Sequence, residues 1–145
     1  LAAWLQDPKP IRPLKYNSII DRNLADHPKL SAGDAAAVTD FLMGLTSPEV
    51  KAGIIKPKES AQGKNIFTKK APCGGCHESS VNGKATGGKS GPSLAGSSKR
   101  LNPDWIYAYL ANIKVFKPVR DMPDFASALN KKDLASVAAY VATFE

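Results

Sequence analysis

Apolar positions recur at helical spacing through most of the chain, with capping and breaking residues between the runs. In LSAGDAAAVTDFLMGL, Ser31 offers a cap, and Ala35, Val38, Leu42 and Leu45 follow as one stripe, with Met43 a core position in the same run. SPEVKAGIIKPKES predicts a short helix or turn running into a linker at Pro57. SAQGKNIFTKKA predicts a helix capped by Ser60, with Gly63, Ile66 and Phe67 on one face and Pro72 as its stop. From His77 to Lys99 the chain is rich in Gly, Ser and Lys and reads as loop. NPDWIYAYLANI predicts a helix with Asn102 as cap and Pro103 at its first position. KVFKPVRDMPDF, with two prolines, reads as irregular. NKKDLASVAAYVATF closes the chain as an amphipathic helix striped by Leu134, Val137, Ala138 and Val141. No segment alternates convincingly with the period of a strand, so the expected fold is all-α.

One internal similarity stands out. LSAGDAAAVTDFL (30–42) aligns with LNKKDLASVAAYV (129–141), bringing Leu, Asp, Val and an aromatic residue into register. Each segment follows a stretch that bears Trp and is interrupted by Pro. Two unrelated amphipathic helices would produce the same pattern.

The 145 residues suit one domain, or one domain with an appendage. No apolar run reaches the length needed to span a bilayer. The chain opens on Leu1, which suits a processed or truncated polypeptide, and no basic-then-apolar leader is visible. The net charge of +7 is uneven. From Pro57 onward thirteen Lys and Arg face seven Asp and Glu, against seven and six before it. Such an excess suits an acidic protein surface or an anionic membrane, or simply a solvated exterior. The lysines are dispersed and no aromatic-interleaved basic motif appears, so no nucleic-acid partner is expected.

The only two cysteines stand in CGGCH, residues 73–77. A structural zinc requires about four N or S ligands, and Cys73, Cys76 and His77 supply three, with no second ligand pair beyond a distant His27. A thioredoxin-like dithiol follows a strand, whereas a helix is expected before Cys73. A disulfide across two residues closes too small a loop to constrain much. Haem fits the spacing. Thiols one helical turn apart can add to two vinyl groups on one porphyrin edge, and the next residue places an imidazole under the ring; C-x-x-C-H is the c-type attachment signature. Met122, 45 residues after His77, offers a soft thioether as the sixth iron ligand, which raises the reduction potential relative to imidazole. Core packing is its alternative role. His27, in a polar turn expected to be exposed, is the rival ligand. The second ring nitrogen of His77 needs an acceptor, and the tight turn in SGPSLAG offers the Pro92 carbonyl; a plain turn is its alternative role.

From Ser60 to Phe144 the chain resembles the class I cytochromes c of mitochondrial and bacterial type. GKNIF, CGGCH, GPSLAG, a Trp-bearing helix, MPDF and a terminal helix with AAYV occur in the family's order. The resemblance implies one covalent haem c, with Cys73 and Cys76 as thioether links, His77 and Met122 as axial ligands, and Pro92 as the histidine's partner. It implies that Gly63 and Phe67 meet Tyr140 where the first and last helices cross. Phe67, Leu94, Trp105, Tyr109, Ile113, Phe125 and Val137 would wall the haem, or serve as plain core. Residues 57–145 form the expected cytochrome domain. Residues 1–56 carry no C-x-x-C-H and resemble the second half of another such domain. They read as a haem-less helical extension, a degenerate duplicate, or the remnant of a di-haem parent.

The expected function is one-electron transfer between redox proteins, not enzymatic turnover, because two axial side chains leave the iron no open position for a substrate. Lys69, Lys70, Lys84, Lys89 and Lys117 would steer partners with acidic docking surfaces. Two alternatives stand beside this: a haem-c subunit or fragment of a larger oxidoreductase, and a gas-binding or peroxidase-like haem if Met122 does not hold the iron. The resemblance implies a periplasmic or otherwise extracytoplasmic location.

Overall fold

The computed structural model describes residues 1–9, 27–81, 83–118 and 122–145. Part of the expected N-terminal extension (10–26), part of the proline-bearing loop (119–121) and Asn82 lie outside the described residues. The chain forms two compact units, Leu1–Ser47 and Pro48–Glu145.

The first unit contains α1 (Ala2–Gln6) and α2 (Ala32–Gly44). Ser31 caps α2, accepting a hydrogen bond from the Asp34 amide, and Leu30 N–H donates to the Leu5 carbonyl at 3.0 Å. Leu5 and Ala35 are buried. The rest of the expected stripe is not: Val38, Leu42 and Leu45 are exposed, and so is Met43, expected in the core. Periodicity marks the apolar face correctly, but no described residue of this unit covers it. His27 is half-buried rather than exposed, because its ring packs edge-on to Trp4 at 4.7 Å.

The second unit begins with a turn held to a later helix. Asp104, buried at the start of α5 (Pro103–Ala111), accepts the amides of Gly53 and Ile55 at 2.7 Å each. Residues 53–55 belong to the second unit, which begins at Pro48. Ser60 caps α3 (Ala61–Asn65) through the Gly63 amide. The helix then widens into a single π-turn, Ile66–Lys70, closed by Ala71 N–H on the Ile66 carbonyl at 2.9 Å. β1 (Glu78–Val81) and β2 (Lys84–Gly87) form an antiparallel hairpin pairing Glu78 with Gly87. This hairpin corrects the expectation of loop and of no strand, although the fold remains mainly helical. Next come α4 (Ser97–Arg100), α5 capped by Asn102, α6 (Ile113–Phe116), a 3₁₀ turn at Phe125–Ser127, and α7 (Lys131–Val141) capped by Asn130.

The core lies where α3, α5 and α7 meet. Ile66, Phe67, Ile106, Leu134, Val137 and Ala138 are buried there. A Cβ on Gly63 would lie 2.6 Å from both the Ser136 carbonyl oxygen and Tyr140 Cβ, so α3 and α7 cross only because that side chain is missing. The Phe67 and Tyr140 rings meet edge-on at 5.9 Å, as expected. Lys70 binds the Asp133 carboxylate at 2.5 Å and Gln62 adds a bond at 3.2 Å, tying the π-turn and α3 to the first turn of α7. Among the described residues no helix is long and apolar enough to cross a membrane.

Candidate haem site

CGGCH follows the π-turn as one tight turn. Gly75 N–H donates to the Pro72 carbonyl at 2.8 Å, and the Cys76 and His77 amides both donate to the Cys73 carbonyl, at 3.1 and 2.9 Å. The two cysteines thus sit one turn apart, with the imidazole immediately after the second. They are free thiols. Cys73 is half-buried against the core, and that burial pushes its thiol up to about 11; Cys76 is exposed.

His77 Nδ1 lies 2.7 Å from the Pro92 carbonyl oxygen. A carbonyl only accepts, so Nδ1 carries the hydrogen; in the neutral ring Nε2 then presents its lone pair, the form required of a metal ligand. Gly91 makes this contact possible: a Cβ there would stand 2.7 Å from His77 Cε1. The hairpin is fitted just as closely. Gly88 N–H donates to the Gly74 carbonyl at 2.8 Å, and a Cβ on Gly88 would stand 1.8 Å from the Gly75 carbonyl oxygen. Gly87, at φ +121, lies over the His77 carbonyl with the same lack of room. Leu94 N–H donates to the Glu78 carbonyl at 2.7 Å, closing the loop that carries Pro92.

The expected pocket residues fall into two groups. Cys73, Leu94, Trp105, Met122 and Phe125 are partly buried and pack against the cluster that contains Phe67. Tyr109 stacks on Trp105, with ring centroids 5.0 Å apart. Ile113 and Val137 are buried, as is Phe67. Sequence reasoning missed Phe116, which meets Trp105 edge-on at 6.0 Å; its signal was its place seven residues after Tyr109. It also missed the three hairpin and turn glycines, whose signal was their density just after the histidine.

The donor set fits an iron porphyrin: two thiols one turn apart, an imidazole with Nε2 free, and a glycine that leaves room for the ring. Residues 58–141 match the family described as cytochrome C oxidase, cbb3-type, subunit III. No curated protein and no solved structure matches the chain. On a match that covers more than half its length, the chain belongs to the cbb3-type cytochrome c oxidase subunit III family, and its second unit is a class I-like cytochrome c domain.

Proposed function

We propose that this chain is a one-electron carrier holding a single haem c through Cys73 and Cys76, with His77 and Met122 as axial ligands. When bound, the haem supplies a reversible Fe(III)/Fe(II) couple, and the polypeptide sets how easily that couple is used. The observation that carries the reading is the bond from His77 Nδ1 to the Pro92 carbonyl, which fixes the ring's tautomer and orientation and raises its donor strength. The CGGCH turn sets the two cysteines one turn apart, with His77 directly after the second. Met122 packs from a separate loop against the same cluster as Cys73, Leu94 and Trp105. Phe67, Tyr109 and Phe125 complete an apolar surround that keeps water from the ring and holds the ligands still between oxidation states. Intact-protein mass spectrometry of matured protein tests attachment: a mass equal to the bare polypeptide ends the proposal. Oxidised and reduced spectra, with and without carbon monoxide, test the sixth ligand, since rapid binding of the gas removes Met122 from that role.

Lys69, Lys84, Lys89 and Lys117 are exposed, and in this reading they steer redox partners with acidic docking surfaces. Lys70 belongs less to that set, being paired with Asp133. The compartment that suits attachment to C-x-x-C-H is extracytoplasmic. A second reading is favoured by the family description, which names an oxidase subunit: the haem would then be an internal relay of a larger complex. Mass by size exclusion, together with the identity of co-purifying chains, separates the two.

A further inference from the structure

The second unit supplies a template for the first. Shifting the numbering by 99 residues lays α2 on α7. Ser31 falls on Asn130, and each caps its helix through the amide three residues later. Ala35 falls on Leu134, and both are buried. Beyond this point the apolar pattern continues in both helices, but among the described residues its cover does not. Val38 is 36% exposed where Val137 is 2%, Leu42 is 42% where Val141 is 5%, and Leu45 is 59% where Phe144 is 5%.

The cover on α7 is partly α3, and that contact has a definite chemistry. Gly63 brings the α3 backbone onto Ser136 and Tyr140, and Phe67, one turn later, packs on Tyr140. Lys70, seven residues after the glycine, binds Asp133. The same three features are present on α2, and no partner covers them among the described residues. Ala37 and Phe41 stand where Ser136 and Tyr140 do, and both are exposed. Asp34 stands where Asp133 does, and among the described residues it meets only Ser31.

We propose that the exposed face of α2 is a docking surface for an amphipathic helix of the α3 pattern: a glycine at the crossing, an aromatic residue one turn later, and a cation about two turns on. The small Ala37 side chain suits close approach of a backbone lacking Cβ. Phe41 offers the ring on which the aromatic residue stacks edge-on. Asp34, beside the first turn of α2, offers a carboxylate for the cation. The inference does not depend on the haem.

The test appends a second copy of residues 58–71 ahead of Leu1 through a flexible Gly/Ser linker, and reads hydrogen exchange of the α2 amides. A tethered helix acts at an effective concentration in the millimolar range. Docking should slow α2 exchange roughly tenfold. Phe41→Ser in α2 should restore the original rate, and so should Trp in place of the appended copy's glycine. Unchanged exchange in the fusion overturns the proposal, as does slowing that survives both substitutions. Slow α2 exchange in the unmodified chain also overturns it: independent of concentration, it means the chain covers this face itself; dependent on concentration, it means a second copy does. Haem content is read by absorbance on the same samples, so failure of the carrier reading is seen separately.

Discussion

The Pro92 carbonyl oxygen stands 2.7 Å from His77 Nδ1 across fifteen residues of chain, and the missing Cβ of Gly91 leaves the space that lets it come so near. Gly91→Ala places a methyl against the ring and forces the imidazole away from its acceptor. Thioether attachment should persist, since neither thiol is touched. The weakened bond makes His77 a poorer donor, so the reduction potential should rise and the visible spectrum should show a perturbed axial ligand. Redox titration of the variant against the parent checks this, and an unchanged potential denies the bond any tuning role.

The α3–α7 crossing should tolerate no side chain at residue 63. A methyl there meets backbone and Cβ rather than a flexible chain end. Gly63→Ala should cost about 1–3 kcal/mol by overpacking, and Gly63→Val more. Urea unfolding followed by far-ultraviolet circular dichroism measures the loss. A stable Gly63→Val variant would show that the helices can part without penalty.

Two buried carboxylates should make the domain acid-sensitive. The Ile55 amide, helped by Gly53, holds Asp104 below its ordinary value against the opposing effect of burial. Lys70, then Gln62, does the same for Asp133. Both folded-state values lie below the unfolded value of about 4. Their stabilisation is therefore complete above that pH and disappears as pH falls through and below it. Asp104→Ala should cost about 1–3 kcal/mol through two amides left without an acceptor, and should flatten the fall in stability between pH 5 and 3 (roughly the carboxylate range). Denaturant melts across that range read both effects.

Electron exchange with an acidic partner should slow as ionic strength rises. Lys84→Glu and Lys89→Glu should lower the association rate and weaken its dependence on salt. Lys70→Gln should act differently, reducing stability through Asp133 more than it changes encounter. Stopped-flow rates over a salt series separate these effects, and a flat response removes electrostatic steering.

What the sequence made legible was local or obeyed a fixed spacing. The CGGCH turn, the caps at Ser60, Asn102 and Asn130, the Gly63–Phe67 pair and the Pro92 acceptor each depend on residues a few positions apart or on one recurrent order of motifs. The hairpin escaped because its strands have four residues each and its register is set by Gly87 and Gly88 lying on the carbonyls of a distant turn. The exposure of Val38, Leu42 and Met43 escaped for another reason: periodicity shows which side of a helix is apolar, not whether anything rests on it. The capture of residues 53–55 by Asp104 is a contact across about fifty positions, with no trace in local pattern.

The π-turn at Ile66–Lys70 has a consequence for how this chain tolerates change in length. Such a turn is a one-residue insertion retained within a helix. Removing any one of its five residues would let a regular helix run on toward Pro72, yet everything beyond would swing about the axis by about 100°. Both thiols would then leave the helix facing another way, so the stretch just ahead of the cysteines is bound to a fixed count of residues even where their identities are free to vary.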